Sequence, residues 1–239
     1  MTQPRLRRHL VTGLAAVSML GLTGCGGAVT TTTTGPGTAA QIGDVTITQA
    51  TLDDTTDAIC ADLTPQLQQD GPVALMQVKQ YALNLLTARA QAEQLAEEYD
   101  VEPGPEVAQD LAQWKAQSER VPERLRDEFA AAMNTEALVN SVLDGAGTAA
   151  LARDGVRNPT QEQVQQRGSD LFATWSDTVD VTIDPRYGAV VEEGLLQPAR
   201  TSLSVPVSAQ AVKAWAQVND RENASPDFVE TLPESQRCG

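Results

Sequence analysis

Three cysteines and one histidine carry the most distinctive chemistry in this chain, and their positions narrow what that chemistry can be. His9 and Cys25 lie near the start, Cys60 lies further in, and Cys238 is the penultimate residue. A serine or cysteine nucleophile needs a general base, normally histidine. A zinc site needs four Cys or His ligands. Whether either chemistry is open depends on the fate of the first few dozen residues. Arg5, Arg7 and Arg8 precede an uncharged apolar run, residues 10–22, and no acidic residue occurs before Cys25. A positive flank, a short apolar core and small residues at its end make a secretory signal peptide. As helix the run spans roughly 20 Å, short of the ~30 Å hydrocarbon core, so it is not a membrane span.

Leu22-Thr23-Gly24-Cys25 resembles the bacterial lipobox, an aliphatic residue and two small ones before a cysteine. The resemblance implies that a diacylglycerol is joined to the Cys25 thiol as a thioether. Cleavage then leaves an acylated Cys25 as the new N-terminus. Two or more chains of palmitate type anchor stably where one is marginal, at ~0.8 kcal/mol per buried CH₂. The expected partner of Cys25 is therefore the lipid bilayer, on the extracytoplasmic side of the cell envelope. The expected divisions are a signal peptide over 1–24, a flexible Gly/Thr-rich tether over 25–40, and a folded domain over 41–239.

Removing residues 1–24 takes away His9 and three of 17 basic residues but none of the 32 acidic ones, leaving a net charge of −18. No imidazole survives, which removes the usual hydrolase triads and histidine zinc sites. No GxxxxGK[ST] or GxGxxG phosphate loop occurs. The adjacent carboxylates Asp53-Asp54, Glu97-Glu98 and Glu192-Glu193 read as solvated faces, and aromatics make up only 4% of the chain, few for a sugar cleft. The acidic charge argues against nucleic acid. Asn223-Ala224-Ser225 matches a glycosylation pattern of little weight here. The expectation is a non-enzyme with no catalytic residue, metal or cofactor. Cys60 and Cys238 are exported, where thiols tend to oxidise. With Cys25 acylated, parity favours one disulfide between them. The alternative is two free thiols, one of them a nucleophile.

The elements that would position these groups are mostly helical. Residues 42–48 alternate apolar and polar, as a short strand does, and Thr48 is placed to cap a helix. Leu52, Thr56, Ile59, Leu63 and Leu67 then recur at helical spacing. Gly71-Pro72 breaks that helix and the longest one follows, from about Val73 to Tyr99. Further helices carry Val107, Leu111 and Trp114, then Leu125, Phe129, Met133 and Leu138. Gly145-Ala146-Gly147 reads as a breaker, with a weaker helix over 149–154. Pro159-Thr160 opens a helix ending near Trp175. A second strand, residues 179–183, runs into the turn residues Asp184-Pro185-Arg186-Tyr187-Gly188. The rest holds one helix over 208–219 and a proline-punctuated tail. Asp184 and Arg186 are expected to pair, with Tyr187 covering the strand end. Trp114, Phe129, Met133, Phe172 and Trp175 read as core.

The order of these elements, GDVTIT into a helix, a long second helix, further helices, then VDVTIDPRYG, resembles the N-terminal chaperone domain of SurA-like and trigger-factor-like proteins. With the tail LPESQRCG the form is that of short actinobacterial lipoproteins. The resemblance covers residues 42–188 and the tail. It implies a mainly α fold with a small sheet pairing the N-terminal strand with the late one. It also implies binding of unfolded or exported polypeptides. The relatives that isomerise prolyl bonds carry a parvulin domain before the late strand. Here residues 158–177 read as a single helix, so no isomerase activity is expected. The alternative is a scaffold lipoprotein that binds one folded envelope partner. No residue of a peptide site is identifiable from the sequence.

Overall fold

A computed structural model describes residues 35–239, apart from 176, 193–194, 199–206 and 220–225. The fold is mainly helical with small antiparallel sheets. It begins with a hairpin, β1 (Thr38–Ile42) and β2 (Val45–Thr48). Ala39, Ala40 and Ile42 have no exposed surface. Two consecutive buried residues are the mark of a central strand covered on both faces. That is why β1 lacks alternation, and why the reading of 25–40 as tether ran three residues into the folded chain. The alternation over 42–48 spans a turn as well as β2, so it marks the second half of a hairpin.

Thr48 leads from β2 into α1 (Gln49–Asp70), its hydroxyl accepting the Thr51 N–H at 3.0 Å. Such a cap satisfies one of the four orphan donors at a helix start. A two-residue strand, β3 (Val73–Ala74), precedes α2 (Leu75–Tyr99), the longest element. Asp100 ends α2 in the left-handed conformation, its N–H returning to the Ala96 and Glu97 carbonyls. Then come α3 (Pro105–Gln117), α4 (Arg126–Met133), α5 (Thr135–Arg153) and α6 (Gln161–Trp175). The helix expected to run through Met133 to Leu138 is divided at Asn134. That side chain is buried, and its amide donates to Val107 O at 3.0 Å and to Asp110 Oδ2 at 2.9 Å on α3.

Gly145-Ala146-Gly147 does not break α5. A Cβ on Gly147 would strike the Val164 carbonyl oxygen of α6, and one on Gly168 would strike the Leu143 carbonyl oxygen of α5. Glycine inside a helix costs ~1 kcal/mol against alanine, and here that cost permits backbone-to-backbone approach of two helices.

After α6 the chain returns to the first sheet. β4 (Val181–Ile183) pairs antiparallel with β1, with Ile42 opposite Val181 and Ala40 opposite Ile183. The order is β2-β1-β4. The expected pairing of an early with a late strand is present, made by β1 rather than by residues 45–48. A separate hairpin follows, β5 (Ala189–Glu192) with β6 (Leu195–Pro198), where no strand was expected. Next come α7 (Ala209–Asn219), α8 (Pro226–Glu230) and β7 (Arg237–Cys238), which pairs with β3. Leu52, Leu83, Leu95, Leu125, Phe129 and Val142 head the core beside β1. Fully burying each such side chain is worth about 1.5–3 kcal/mol. Phe129, Phe172 and Trp175 are buried, and Trp114 and Met133 pack partly exposed against the core, Trp114 edge-on to Phe129.

Candidate functional site

The start of α2 is where the C-terminal tail returns to the body of the fold. Val73 is paired with Cys238 and Ala74 with Arg237, so the tail lies against the strand that launches α2. Cys60 of α1 and Cys238, 178 residues apart in sequence, stand 5.5 Å apart at Cα with their sulfurs at disulfide distance. That separation lies within the range a disulfide spans. The tail is also held by side chains, since Phe228 and Val229 of α8 are buried.

This junction encloses a cavity of ≈ 320 Å³, near the lower end of ligand pockets. Leu75, Met76, Ala214, Phe228 and Leu232 supply its apolar lining. Met76 lines it and is 38% exposed, so its thioether is open to solvent at the cavity. Lys79 is the charged lining residue, and its Nζ lies 2.7 Å from Asp53 Oδ1. A second depression of ≈ 350 Å³ flanks the other side of the same helical turns, between Ile59, Leu63, Val78 and Tyr81. Tyr81 is 45% exposed. Its phenol is pushed above the ordinary value by partial burial and then by the charge of Glu136. The first turns of α2 thus present apolar and thioether surface on two sides. Such surface can take up apolar side chains of another polypeptide, and methionine adapts to varied shapes.

The turn after β4 is a structural device. The Asp184 carboxylate accepts the Arg186 backbone N–H at 2.9 Å and the Arg186 guanidinium through Nε at 3.0 Å and Nη2 at 2.6 Å. Gln49 Nε2 donates to the same carboxylate at 3.4 Å, tying β4 to the start of α1. Burial of Asp184 raises its pKa, but the Arg186 N–H, the guanidinium bonds and their charge outweigh it, and the net shift is downward. Gln80 of α2 donates to the Tyr187 carbonyl at 3.2 Å, and Tyr187 is buried. Gly188 closes the turn at φ +56°, where a side chain would be strained.

Among the carboxylates read as solvated, Asp53 pairs with Lys79 and Asp54 with Arg124 at 3.1 Å, while Glu97 and Glu98 are exposed. Glu193 and the Asn223–Ser225 pattern lie outside the described residues, as does Cys25 with the rest of residues 1–34. Among the described residues no group of three or more His, Cys, Asp or Glu is placed to hold a metal ion, and no helix is long and apolar enough to cross a membrane. The cleft residues Met76, Phe228 and Leu232 escaped sequence reading. The one available signal was three apolar residues, Phe228, Val229 and Leu232, within an otherwise polar tail. No protein-family model, curated protein or solved structure matches this chain.

Proposed function

We propose that this chain is a lipid-anchored, extracytoplasmic, chaperone-like protein of SurA N-domain type that holds unfolded or exported polypeptides without isomerising them. The observation that carries the reading is the apolar cleft at the start of α2, with Met76 exposed in its lining. Its lining offers shape-tolerant apolar contact, which suits clients of varied sequence. The β1–β4 pairing supports the reading too, because the resemblance implies that arrangement. Acylation of Cys25 would hold the protein at the membrane, where exported chains emerge unfolded.

The test is light scattering from several unrelated unfolded proteins diluted out of denaturant, with and without an equimolar amount of the full protein. Suppression of aggregation across clients, weakened by Met76→Glu, is the expected result. Binding to one folded envelope protein with no effect on aggregation would replace this reading with the scaffold alternative. Metabolic labelling with palmitate checks the anchor, and label that persists in Cys25→Ser would refute it.

A further inference from the structure

Four sulfur-bearing side chains fall among the described residues, those of Cys60, Met76, Met133 and Cys238. Access sets what each can do. The sulfurs of Cys60 and Cys238 stand at disulfide distance from each other, and Cys238 is buried. Met133 ends α4 and is partly buried, packed against the core. Met76 differs from all three. It is the second residue of α2, it is exposed, and it lines the apolar cleft shared with the C-terminal tail. A thioether loses no proton before it is oxidised, so exposure of the sulfur governs the reaction.

The surroundings of Met76 decide what that reaction does. Leu75, Ala214, Phe228 and Leu232 share the lining, and its charged member, Lys79, is already engaged by Asp53 at 2.7 Å. Oxidation to the sulfoxide turns a flexible apolar side chain into a polar one. A sulfoxide oxygen left among these apolar side chains without a hydrogen bond is unfavourable. Bonded to Ser235 or Gln236, which also line the cleft, it draws polar groups into the lining. Turned out to water, it takes an apolar side chain away. In each case the cleft loses apolar surface.

We infer that Met76 is an oxidation site through which a hydroperoxide lowers the affinity of the α2 cleft for apolar ligands. The sulfur lone pair attacks one peroxide oxygen, the O–O bond breaks and an S–O bond forms. The proton on the transferred oxygen passes to the departing hydroxide, which leaves as water. Sulfur is oxidised by two electrons and the peroxide is reduced by the same two. The inference rests on the polypeptide-binding reading above for the cleft's occupant, and adds how that occupancy is regulated.

The full protein is titrated with hydrogen peroxide at neutral pH, and mass spectrometry of its proteolytic fragments locates each oxygen gained. Nile red fluorescence measures apolar binding in the same samples. Met76 is expected to gain one oxygen before Met133 does. Nile red affinity should fall in step with it by roughly fivefold or more, as for an unbonded polar group set in apolar surroundings. Met76→Leu assigns the cause. Whatever its starting affinity, peroxide is expected to leave that affinity where it was. Met133→Leu, a volume-conserving exchange, is expected to respond to peroxide as the parent does.

Oxidation of Met133 ahead of Met76, or together with it, overturns the inference. Full oxidation of Met76 with Nile red affinity unchanged overturns it as well. So does a loss of affinity that persists in Met76→Leu, and so does a parent that takes up no Nile red. The fragment masses and dye affinity of the parent decide the matter even if a variant fails to fold. None of these readouts uses a client protein. Failure here leaves suppression of aggregation standing, and failure of that suppression leaves oxidation and dye binding standing.

Discussion

Gly147 of α5 and Gly168 of α6 lie face to face, so close that a Cβ built on Gly147 would come within 2.9 Å of the Gly168 backbone nitrogen. The same Cβ would strike the Val164 carbonyl, and one on Gly168 the Leu143 carbonyl. Each obstacle is backbone, which cannot swing aside as the end of a flexible side chain can.

Helix propensity alone says that Gly147→Ala should stabilise by ~1 kcal/mol. The packing says the opposite, because a methyl there forces α5 and α6 apart and disturbs the core they cover. Gly147→Ala and Gly168→Ala are each expected to destabilise by about 1–3 kcal/mol, as overpacking does. Urea denaturation read by circular dichroism measures it, and a stabilised variant would contradict the helix contact.

Closing the Cys60–Cys238 loop, 178 residues in separation, is worth at most about 5 kcal/mol in the chain-entropy treatment. Cys238→Ser should lower stability by a sizeable part of that figure. It should also free the tail from β3, giving earlier proteolytic cleavage after residue 226. Thiol labelling of the non-reduced protein is expected to find neither Cys60 nor Cys238.

Asp184 gives the stability a component that depends on pH. Its carboxyl is more acidic in the folded chain than in the unfolded one, held down by Arg186 against the opposing effect of burial. The contribution is therefore fully present above the unfolded value, about 4, and is lost as pH falls through the lower folded value. Because the Arg186 side chain is 65% exposed, water screens the pair and its contribution to stability is small. The stability gap between the parent and Asp184→Asn, measured in urea, should be open at pH 7 and narrow progressively as the pH is taken below the ordinary carboxylate value.

Gln91 is buried in α2, and neither its Oε1 nor its Nε2 has a hydrogen-bond partner among the described residues. Thr87, one turn earlier, spends its hydroxyl on the Asn84 carbonyl at 3.0 Å. A buried amide without partners costs about 1–3 kcal/mol. Gln91→Met keeps the volume and drops the polar atoms, so its thermal midpoint should rise.

The α-helical class, the principal helices and the two strands that flank them were legible in the sequence, because a helix or half-buried strand writes its period into neighbouring residues. Leu52, Ile59 and Leu67 announce α1 in this way. Thr48 announces its start, since a cap needs only the first turn. β1 left no such mark. Ala39 and Ala40 are buried on opposite faces, which erases alternation. Gly145-Ala146-Gly147 misled for a related reason, as glycine signals a break unless a second backbone lies against it, and that backbone belongs to residues some twenty positions later.

The acidic balance follows from residue identity alone, and the expectations of a signal peptide and of a Cys60–Cys238 pair rest on charge, apolar length and thiol parity, which are sums over the chain. The two clefts follow from no such sum. Met76, Phe228 and Leu232 line one cleft only because β7 returns to β3, and Tyr81 lines the other with Ile59 and Leu63 only because α1 packs against α2. Contact between distant residues is set by the path of the chain in three dimensions, and no local spacing encodes that path.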